Sequence, residues 1–283
     1  MTTLIDSLLD EIVTRALAED LAGGDLTTEA TISVDERAIG RAVAHSPLVL
    51  AGGDVFARVF SNVDRGLRVE RHKADGERAQ PGDVLLSVEG SARSILFAER
   101  TALNFIQRMS GVATLARRYV DALPAGSRTR IVDTRKTTPG LRALERYAVR
   151  AGGGFNHRND LGSAVLIKDN HIVAAGGIRP AIERARAYAP HTTRIEIEVE
   201  TLSGLDQALS AGADVVLLDN FEDAELEQAV SHAQGRAVLE VSGRITLERV
   251  GRIGALGVDV ISVGALTHSA PAADIGLDLA ALE

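Results

Sequence analysis

The sequence predicts an α/β protein whose larger part is a parallel α/β barrel. Strand-like and helix-like segments alternate after Pro124, as they do in proteins built from parallel β-α units. Hydrophobic residues make up 45% of the 283 residues and aromatic residues only 3%, so Leu, Val, Ile and Ala must form the core. Polar residues follow the predicted strands, and the active sites of α/β barrels form at the carboxyl ends of the strands.

The chain before residue 112 has a different pattern. Residues 1–20 form an acidic amphipathic segment, which lacks the basic start of a secretion signal. Residues 38–90 contain short apolar runs separated by turn residues, and this pattern predicts a small sheet. Ser94–Leu123 has the apolar spacing of a long helix. We therefore expect a separate N-terminal domain before the barrel.

Six strand–helix units make up the predicted barrel. The strands are Thr129–Asp133, Ala164–Lys168, Arg194–Glu200, Asp214–Leu218, Ala237–Val241 and Val258–Val263. The helices are Leu141–Arg150, Pro180–Tyr188, Leu202–Ala211, Asp223–His232 and Thr246–Leu256. At least five of the strands end in polar residues, whereas a flat doubly wound sheet concentrates its site at one switch point. A barrel, complete or incomplete, fits this distribution better.

The composition excludes several classes of function. Lys and Arg total 31 against 39 Asp and Glu, a formal net charge of −8, which argues against non-specific nucleic-acid binding. Cysteine is absent, so disulfides, thiolate metal sites and cysteine nucleophiles are excluded. No apolar run reaches the roughly 18–20 residues that span a bilayer, so we expect no membrane partner and a cytoplasmic location.

Five basic side chains are candidates for one anion-binding pocket. Arg135 and Lys136 follow the first predicted barrel strand. His157 and Arg158 follow a glycine-rich run, and Lys168 ends the next strand, where we expect it to meet little water. The alternatives are a solvated loop for the first pair and a salt-bridged structural role for Lys168. Together on an acidic protein they predict a pocket for a small molecule with several negative charges, since Arg binds carboxylates through two parallel hydrogen bonds.

Acidic side chains follow on the next strands. Glu196, Glu198 and Glu200 alternate with apolar residues and so share one face of their strand. A solvated face is the alternative and suits Glu196 best, while the alternative for Asp219 is to cap the following helix. Unpaired carboxylates inside a barrel need a partner. Glu198 and Asp219 are therefore candidates to bind ribose hydroxyls, hold Mg²⁺ or stabilise a developing cation.

Two later turns have the character of phosphate sites. Ser242 and Gly243 lie between a strand and the helix that begins near Thr246, where backbone N–H groups can bind an anion. Val263 and Gly264 end the last strand, a common phosphate position in barrels. Both turns are candidates for the phosphate groups of a substrate.

Several motifs closely resemble those of the quinolinate phosphoribosyltransferases. The central ones are residues 133–142 (DTRKTTPGLR), 147–150 (YAVR), 152–154 (GGG), 156–158 (NHR) and 166–171 (LIKDNH), and others are 24–28 (GDLTT), 99–101 (ERT), 103–104 (LN) and 263–268 (VGALTH). The resemblance covers nearly the whole chain. It implies an N-terminal α/β sandwich domain of residues 1–112, joined by residues 270–283, and an open parallel α/β barrel of residues 113–269.

The resemblance also implies an activity. This is phosphoribosyl transfer from phosphoribosyl pyrophosphate to quinolinate, with release of pyrophosphate and CO₂ and formation of nicotinate mononucleotide for de novo NAD synthesis. It implies Mg²⁺ with phosphoribosyl pyrophosphate as co-substrate and no organic cofactor. It further implies a homodimer or higher homo-oligomer with a shared active site.

Individual roles follow from the resemblance by position. The implied quinolinate-binding residues are Thr134, Arg135, Lys136, His157, Arg158 and Lys168, with Arg100 supplied by the neighbouring subunit. Lys168, Glu198 and Asp219 are implied in catalysis, and the two acids are also implied in binding Mg²⁺, directly or indirectly. The implied phosphate-binding residues are Ser242, Gly243, Val263 and Gly264.

The sequence departs from the family pattern mainly in one loop. Asn159, Asp160 and Ser163 stand where the family has other residues, as do Phe155 and Arg244. Three rival functions are a paralogue acting on another aromatic carboxylate, such as the molybdenum-linked relatives, a Schiff-base aldolase, and a barrel that only binds phosphorylated ligands. The intact motif at residues 168–171 and the retention of both candidate carboxylates favour the transferase.

Overall fold

The computed structural model describes residue 4 and residues 6–282, so residues 1–3, Ile5 and Glu283 of the predicted segments 1–20 and 270–283 lie outside the described residues. The helices are α1 (Asp6–Asp20), α2 (Leu26–Thr31), α3 (Gly53–Val63), α4 (Ala92–Asp121), α5 (Arg142–Ala151), α6 (Asp169–Ala175), α7 (Ile178–Tyr188), α8 (Leu202–Ser210), α9 (Asp223–Ala233), α10 (Leu247–Ala255) and α11 (Ala265–His268). The strands are β1 (Arg37–Ala44), β2 (Leu48–Val49), β3 (Arg68–Arg71), β4 (Arg78–Ala79), β5 (Val84–Ser91), β6 (Arg130–Val132), β7 (Val165–Ile167), β8 (Ile195–Val199), β9 (Val215–Asp219), β10 (Val238–Ser242), β11 (Val260–Ser262) and β12 (Ile275–Ala281).

The chain folds into two units, of which the first contains both ends of the described chain. It runs up to Arg117 and includes residues 137–153 and the residues from Ala265 onward. Its main sheet has the strand order β12-β1-β5-β3 with antiparallel pairing. The C-terminal strand β12 thus pairs with β1, and Ile275 lies opposite Ala44. The sequence prediction placed residues 137–153 in the barrel, whereas here they belong to the first unit.

A buried ion pair explains why α5 belongs to this unit. The Glu145 side chain is fully buried, and its carboxylate accepts hydrogen bonds from the Arg108 guanidinium at 2.6 Å and from the Thr138 N–H and hydroxyl at 3.0 and 2.7 Å. Arg108 also donates to the Ala270 carbonyl at 2.9 Å. A buried carboxylate requires such a complete set of donors. This network joins α4, α5 and the C-terminal segment.

The second unit is an open parallel α/β barrel. It comprises residues Arg118–Lys136 and Gly154–Gly264, and its six strands have the order β6-β11-β10-β9-β8-β7. All five strand pairings are parallel. Strands β6 and β7 lie at the two edges of this sheet. The predicted fold class, an N-terminal sheet domain with an open parallel barrel, is confirmed.

Each predicted barrel strand is present with boundaries shifted by at most a few residues. The helix α6 was not predicted. It begins directly after Lys168, so the motif at residues 168–171 forms the start of a helix, with the Lys168 N–H donating to His171 Nδ1 at 3.0 Å. Among the described helices, none combines the length and the apolar content that crossing a bilayer requires.

Candidate active site

The barrel sheet has one apolar and one polar face. Strand residues on the apolar face are buried: Ile131, Ile167, Ile195, Ile197, Val199, Val216, Leu218, Leu239, Val241 and Ile261. Side chains alternate along a strand, so their neighbours in sequence share the other face. That face carries polar residues at or just beyond the strands: Lys168, Glu196, Glu198, Asp219, Glu240, Ser242 and Ser262. The parallel register therefore collects most of the predicted strand-borne site residues.

Lys168 forms an ion pair with Glu198 on the neighbouring strand. Ile167 lies opposite Ile197 in the sheet, which places the next residues, Lys168 and Glu198, side by side. The Lys168 Nζ donates a hydrogen bond to Glu198 Oε2. The Lys168 side chain is 45% exposed, against the expectation that it meets little water, while the Glu198 side chain is 14% exposed. The Lys168 Nζ atom is thus bound to a carboxylate of its own barrel, whereas a Schiff-base lysine needs its nitrogen available to attack a carbonyl.

Asp219 lies at the end of β9 among other acids. Burial raises the pKa of Asp219, the neighbouring Glu198 raises it further, and Lys168 opposes the rise. Asp219 does not cap the following helix, because Glu222 occupies the N-cap position of α9. The capping alternative is therefore wrong. A carboxylate whose ionised form is disfavoured by its surroundings gains from a bound cation.

Two guanidinium groups form the cationic side of the site. Burial lowers the pKa of Arg158, and the nearby charge of Arg135 lowers it further, while Glu196 acts in the opposite direction. Arg158 Nη1 donates to the Ala164 carbonyl at 3.2 Å. Thr134 and Lys136 complete this segment, with the Lys136 N–H donating to Thr134 Oγ1 at 3.1 Å. A dicarboxylate substrate would offset the mutual repulsion of these two guanidinium groups.

A buried aspartate anchors the segment that carries Arg158. Asp133 has no exposed surface, and its two carboxylate oxygens accept from the His157 N–H at 2.8 Å and from Asn156 Nδ2 at 2.5 Å. Phe155 also pairs with β6, donating its N–H to the Ile131 carbonyl at 2.8 Å. Residues 155–157 thus extend the sheet edge beside β6.

The imidazole of His157 lies between two barrel-interior carboxylates. Its Nε2 is 3.5 Å from Glu196 Oε2 and 3.4 Å from Glu240 Oε1, and its Nδ1 accepts the Arg158 N–H at 2.7 Å. Glu196 is 6% exposed and Glu240 is 4% exposed. A solvated face for Glu196 is therefore wrong. These carboxylates are the interior partners of His157.

The two facing carboxylates change the pKa of His157. Burial opposes a second proton on the ring, but the facing carboxylates Glu196 and Glu240 outweigh it and raise the pKa of His157 to about 10. Burial also raises the pKa of Glu196.

The loops after β9 and β10 interlock at the predicted phosphate turn. Asn220, Gly243 and Arg244 all have left-handed backbone, with φ of 59°, 85° and 50°. The Asn220 N–H donates to the Ser242 carbonyl at 3.1 Å. A Cβ at Gly243 would lie 2.3 Å from Asn220 Oδ1, so glycine is required there on steric grounds as well as by its φ. Thr246 is the N-cap residue of α10, as predicted.

The remaining predicted residues have different surroundings. The Val263 N–H donates to the Val132 carbonyl at 3.0 Å, so this N–H is already used in the sheet. Gly264 is the next residue along the turn. Arg100 is exposed on α4 in the first unit. The roles of these three residues, like those of the other predicted site residues, remain predictions.

The loop that departs from the family pattern forms a closed turn of its own. Ser163 Oγ accepts from the N–H groups of Asn159 and Asp160 at 3.0 and 3.2 Å, and Asp160 Oδ1 accepts from the Gly162 N–H at 2.9 Å. The Asn159 side chain and the Gly162 N–H lower the pKa of Asp160. The substituted residues of this loop therefore form hydrogen bonds with one another.

Glu240 was missed as a site residue by sequence reasoning. Its carboxylate lies 3.4 Å from the ring of His157, which is 83 positions earlier in the chain. The signal available in the sequence was an acidic residue between Leu239 and Val241 on a barrel strand. The alternation that indicated Glu198 applies equally to this position.

Comparisons with known proteins agree with this architecture. Residues 25–110 match the family model described as quinolinate phosphoribosyl transferase, N-terminal domain, and residues 112–278 match the corresponding C-terminal domain. The chain is 46% identical over 275 residues to the nicotinate-nucleotide pyrophosphorylase [carboxylating] of Mycobacterium leprae, covering 95% of this chain and 96% of that one. It is 41% identical over 271 residues to a probable enzyme of that name from Bacillus subtilis, covering 96% and 93%.

A solved structure is similar over its full length. The crystal structure of NadC from Streptococcus pyogenes superposes with a TM-score of 0.96 at 42% sequence identity and covers 100% of both chains. Both family models together span most of the sequence, and the relatives match along nearly their whole lengths. The chain therefore belongs to the quinolinate phosphoribosyl transferase family.

Proposed function

We propose that this chain transfers the phosphoribosyl group of phosphoribosyl pyrophosphate to the ring nitrogen of quinolinate, giving nicotinate mononucleotide, pyrophosphate and CO₂ for de novo NAD synthesis. The observation that carries the proposal is the grouping within one unit of a guanidinium pair, Arg135 and Arg158, with the Lys168–Glu198 ion pair and Asp219. Family membership supplies the reaction class.

The cations account for substrate binding. Quinolinate carries two adjacent carboxylates, and phosphoribosyl pyrophosphate carries several further negative charges, so their approach is unfavourable without positive charge. Arg135 and Arg158 supply planar donors that match carboxylates, and Lys168 supplies a compact ammonium. Thr134, Lys136 and His157 belong to the same pocket in this proposal. Ser242, Gly243, Val263 and Gly264 form the phosphate side.

The acids account for the transfer step. The ring nitrogen of quinolinate forms a bond to C1 of the ribose as the bond from C1 to the pyrophosphate oxygen breaks, and positive charge develops on the sugar. Glu198 and Asp219 stabilise that charge. The bond from ring C2 to its carboxylate then breaks, because the electron pair left on C2 lies beside a positively charged nitrogen. C2 takes a proton from solvent, and CO₂ leaves.

Carboxylate oxygens are ligands that Mg²⁺ prefers. Burial and the charge of Glu198 disfavour the ionised form of Asp219, and a bound cation would stabilise that form. Asp219 and Glu198 therefore fit a site for Mg²⁺, directly or through water. When bound, Mg²⁺ neutralises the charge of the leaving pyrophosphate. The proposal also includes a homodimer in which Arg100 completes the partner's site, and a cytoplasmic location.

The test is incubation of the protein with quinolinate, phosphoribosyl pyrophosphate and Mg²⁺, followed by chromatography for nicotinate mononucleotide. Equal release of nicotinate mononucleotide, pyrophosphate and CO₂ is the expected result. Omitting Mg²⁺ should abolish turnover. If no nicotinate mononucleotide forms while the folded protein is stable under the assay conditions, the proposed function is wrong.

A further inference from the structure

The phosphate turn (Asn220 and residues 242–244) joins two loops of the second unit, one after β9 and one after β10. The Asn220 N–H donates to the Ser242 carbonyl at 3.1 Å and so links the loops directly. Asn220, Gly243 and Arg244 have left-handed backbone. Glycine adopts this conformation readily and asparagine tolerates it, whereas for an arginine it is unfavourable. Arg244 therefore needs a restraint from the residues around it.

Arg249 supplies one restraint by tying the loop after β9 to α10. Its Nε donates to Asp223 Oδ1 at 2.8 Å, and its Nη2 donates to the Phe221 carbonyl. Phe221 follows Asn220 in the chain and is buried, and the Arg249 side chain is only 15% exposed. Because α10 directly follows the loop after β10, this one side chain fixes the two loops relative to each other.

Tyr119 supplies a second restraint on the other side of the turn. It is buried, and its hydroxyl donates to the carbonyl of Ile245 at 3.2 Å. Ile245 is the residue directly after Arg244. Burial raises the pKa of Tyr119 and the charge of Glu248 raises it further, so the hydroxyl remains a donor at neutral pH. Buried side chains thus hold the chain on both sides of the left-handed residues.

We propose that Arg249 and Tyr119 are positioning residues that hold the phosphate turn in its left-handed conformation, so that a phosphate group of phosphoribosyl pyrophosphate meets a preformed site. The inference rests on the proposed function, in which Ser242 and Gly243 bind phosphate. Neither positioning residue contacts the substrate in this proposal. Unfavourable backbone conformations persist only where the surrounding structure fixes them, and they are concentrated at ligand sites.

The size of the effect follows from the backbone of Arg244. Without the restraints this residue relaxes towards right-handed backbone, and the substrate must restore the turn when it binds. One left-handed residue costs about 1–2 kcal/mol, which corresponds to an affinity lower by about 5- to 30-fold. Once the substrate is bound, the turn has its wild-type form. The KM for phosphoribosyl pyrophosphate should therefore rise, while kcat and the KM for quinolinate stay near wild type.

Steady-state kinetics of Arg249→Leu and Tyr119→Phe at saturating quinolinate and Mg²⁺ test the proposal. Both variants should show the raised KM for phosphoribosyl pyrophosphate with a nearly normal kcat. Tyr119→Phe loses only the hydroxyl and keeps the packing of the ring, so it provides the test if Arg249→Leu does not fold. A normal KM for phosphoribosyl pyrophosphate with a lowered Tm would show that the links are structural only, and would overturn the proposal.

Arg186→Leu is the matched control for Arg249→Leu. The Arg186 guanidinium also donates to a main-chain carbonyl, that of Gly212, and to an aspartate, Asp214. These acceptors precede β9, whereas the acceptors of Arg249 follow it. Arg186→Leu should leave the KM for phosphoribosyl pyrophosphate unchanged. An equal rise in this control would overturn the proposal, because the effect would not depend on the turn.

A double-mutant cycle tests whether the backbone of Arg244 is the group being positioned. Glycine adopts left-handed backbone without restraint, so Tyr119→Phe should raise the KM for phosphoribosyl pyrophosphate less in an Arg244→Gly background than in wild type. An equal rise in the two backgrounds would overturn the proposed mechanism.

These outcomes separate the inference from the proposed function. If wild-type protein forms nicotinate mononucleotide and both variants have its KM for phosphoribosyl pyrophosphate, only the positioning role is wrong. If wild-type protein forms no nicotinate mononucleotide, the proposed function is wrong and the positioning role is overturned with it.

Discussion

Replacing Lys168 with alanine should weaken quinolinate binding and leave the affinity for phosphoribosyl pyrophosphate nearly unchanged. In the structure the Lys168 ammonium neutralises Glu198 on the adjacent strand. Alanine would remove this cation and leave the Glu198 carboxylate facing an anionic substrate. The variant therefore loses an attraction and gains a repulsion at the same place.

The structure sets the size of this effect. Truncating one partner of a buried, hydrogen-bonded charge pair costs about 2–5 kcal/mol. The Lys168 side chain is 45% exposed, and water screens such a pair, so the lower part of that range, about 2–3 kcal/mol, applies. This corresponds to an increase of about 30- to 150-fold in the Kd for quinolinate. Lys168→Arg should recover only part of the affinity, because a planar fork replaces a compact ammonium.

Calorimetric titration of quinolinate into wild type, Lys168→Ala and Lys168→Arg measures these values. Lys73→Ala is the control, because Lys73 forms an ion pair of 3.1 Å with Asp83 in the first unit. It should bind quinolinate like wild type. Unchanged quinolinate affinity in Lys168→Ala would refute the reasoning. If Lys168 were the nucleophile of an aldolase, both variants would lose turnover and still bind substrate normally. Borohydride would then trap a covalent adduct on Lys168 of the wild-type protein.

Four further predictions follow from the same structure. Nicotinate should be a very poor substrate, since losing one carboxylate leaves charged donors unmatched at about 1–3 kcal/mol each, and comparable kcat/KM for nicotinate and quinolinate would contradict this. Arg100→Ala and Arg135→Ala should each be inactive, yet mixing them under subunit exchange should restore some activity, and no recovery despite demonstrated exchange would exclude a shared site. The pKa of Asp219 is raised, so its ionised form costs stability above that pKa; without Mg²⁺, Asp219→Asn should have a higher Tm than wild type at pH 7, and the difference should shrink as the pH falls through the pKa of the folded protein. Glu145→Ala should lower the free energy of unfolding by about 3–5 kcal/mol in urea, because it leaves the partly buried Arg108 without its carboxylate, whereas a loss under 1 kcal/mol would be inconsistent with this network.

Much of the fold could be predicted because it depends on local patterns. Apolar runs bounded by turns located all six barrel strands, and helical spacing located α4 and the five longer helices from α5 onward. Strand β12 was not predicted as an element, because Ile275–Ala281 is a strand only by virtue of its pairing with β1, more than 200 positions away. The short helix α6 was also missed. Its first residues were interpreted as part of a site motif, and seven residues are too few to show a clear helical period.

Site residues could be predicted where a charged residue ends the apolar run of a single strand. Lys168 and Glu198 each end an apolar run, and the parallel register then places them together. The partners of Glu196 could not be predicted, since its carboxylate meets a ring that arrives from a loop beside β6. For the same reason sequence reasoning missed Glu240. Burial of an acidic residue depends on its spatial partners, and a single sequence does not contain that information.

The contact between Gly243 and Asn220 restricts how the phosphate turn can change by mutation. Trimming Asn220 would remove two of the close contacts that a Cβ at position 243 would make, but the third, at 2.9 Å, is to the Asn220 main-chain nitrogen. No substitution at 220 removes that atom. Position 220 therefore accepts residues that tolerate left-handed backbone, such as Gly or Asp. Position 243 accepts only glycine, whichever residue occupies position 220. A directed-evolution library for this turn gains variety at 220 and only inactive members at 243.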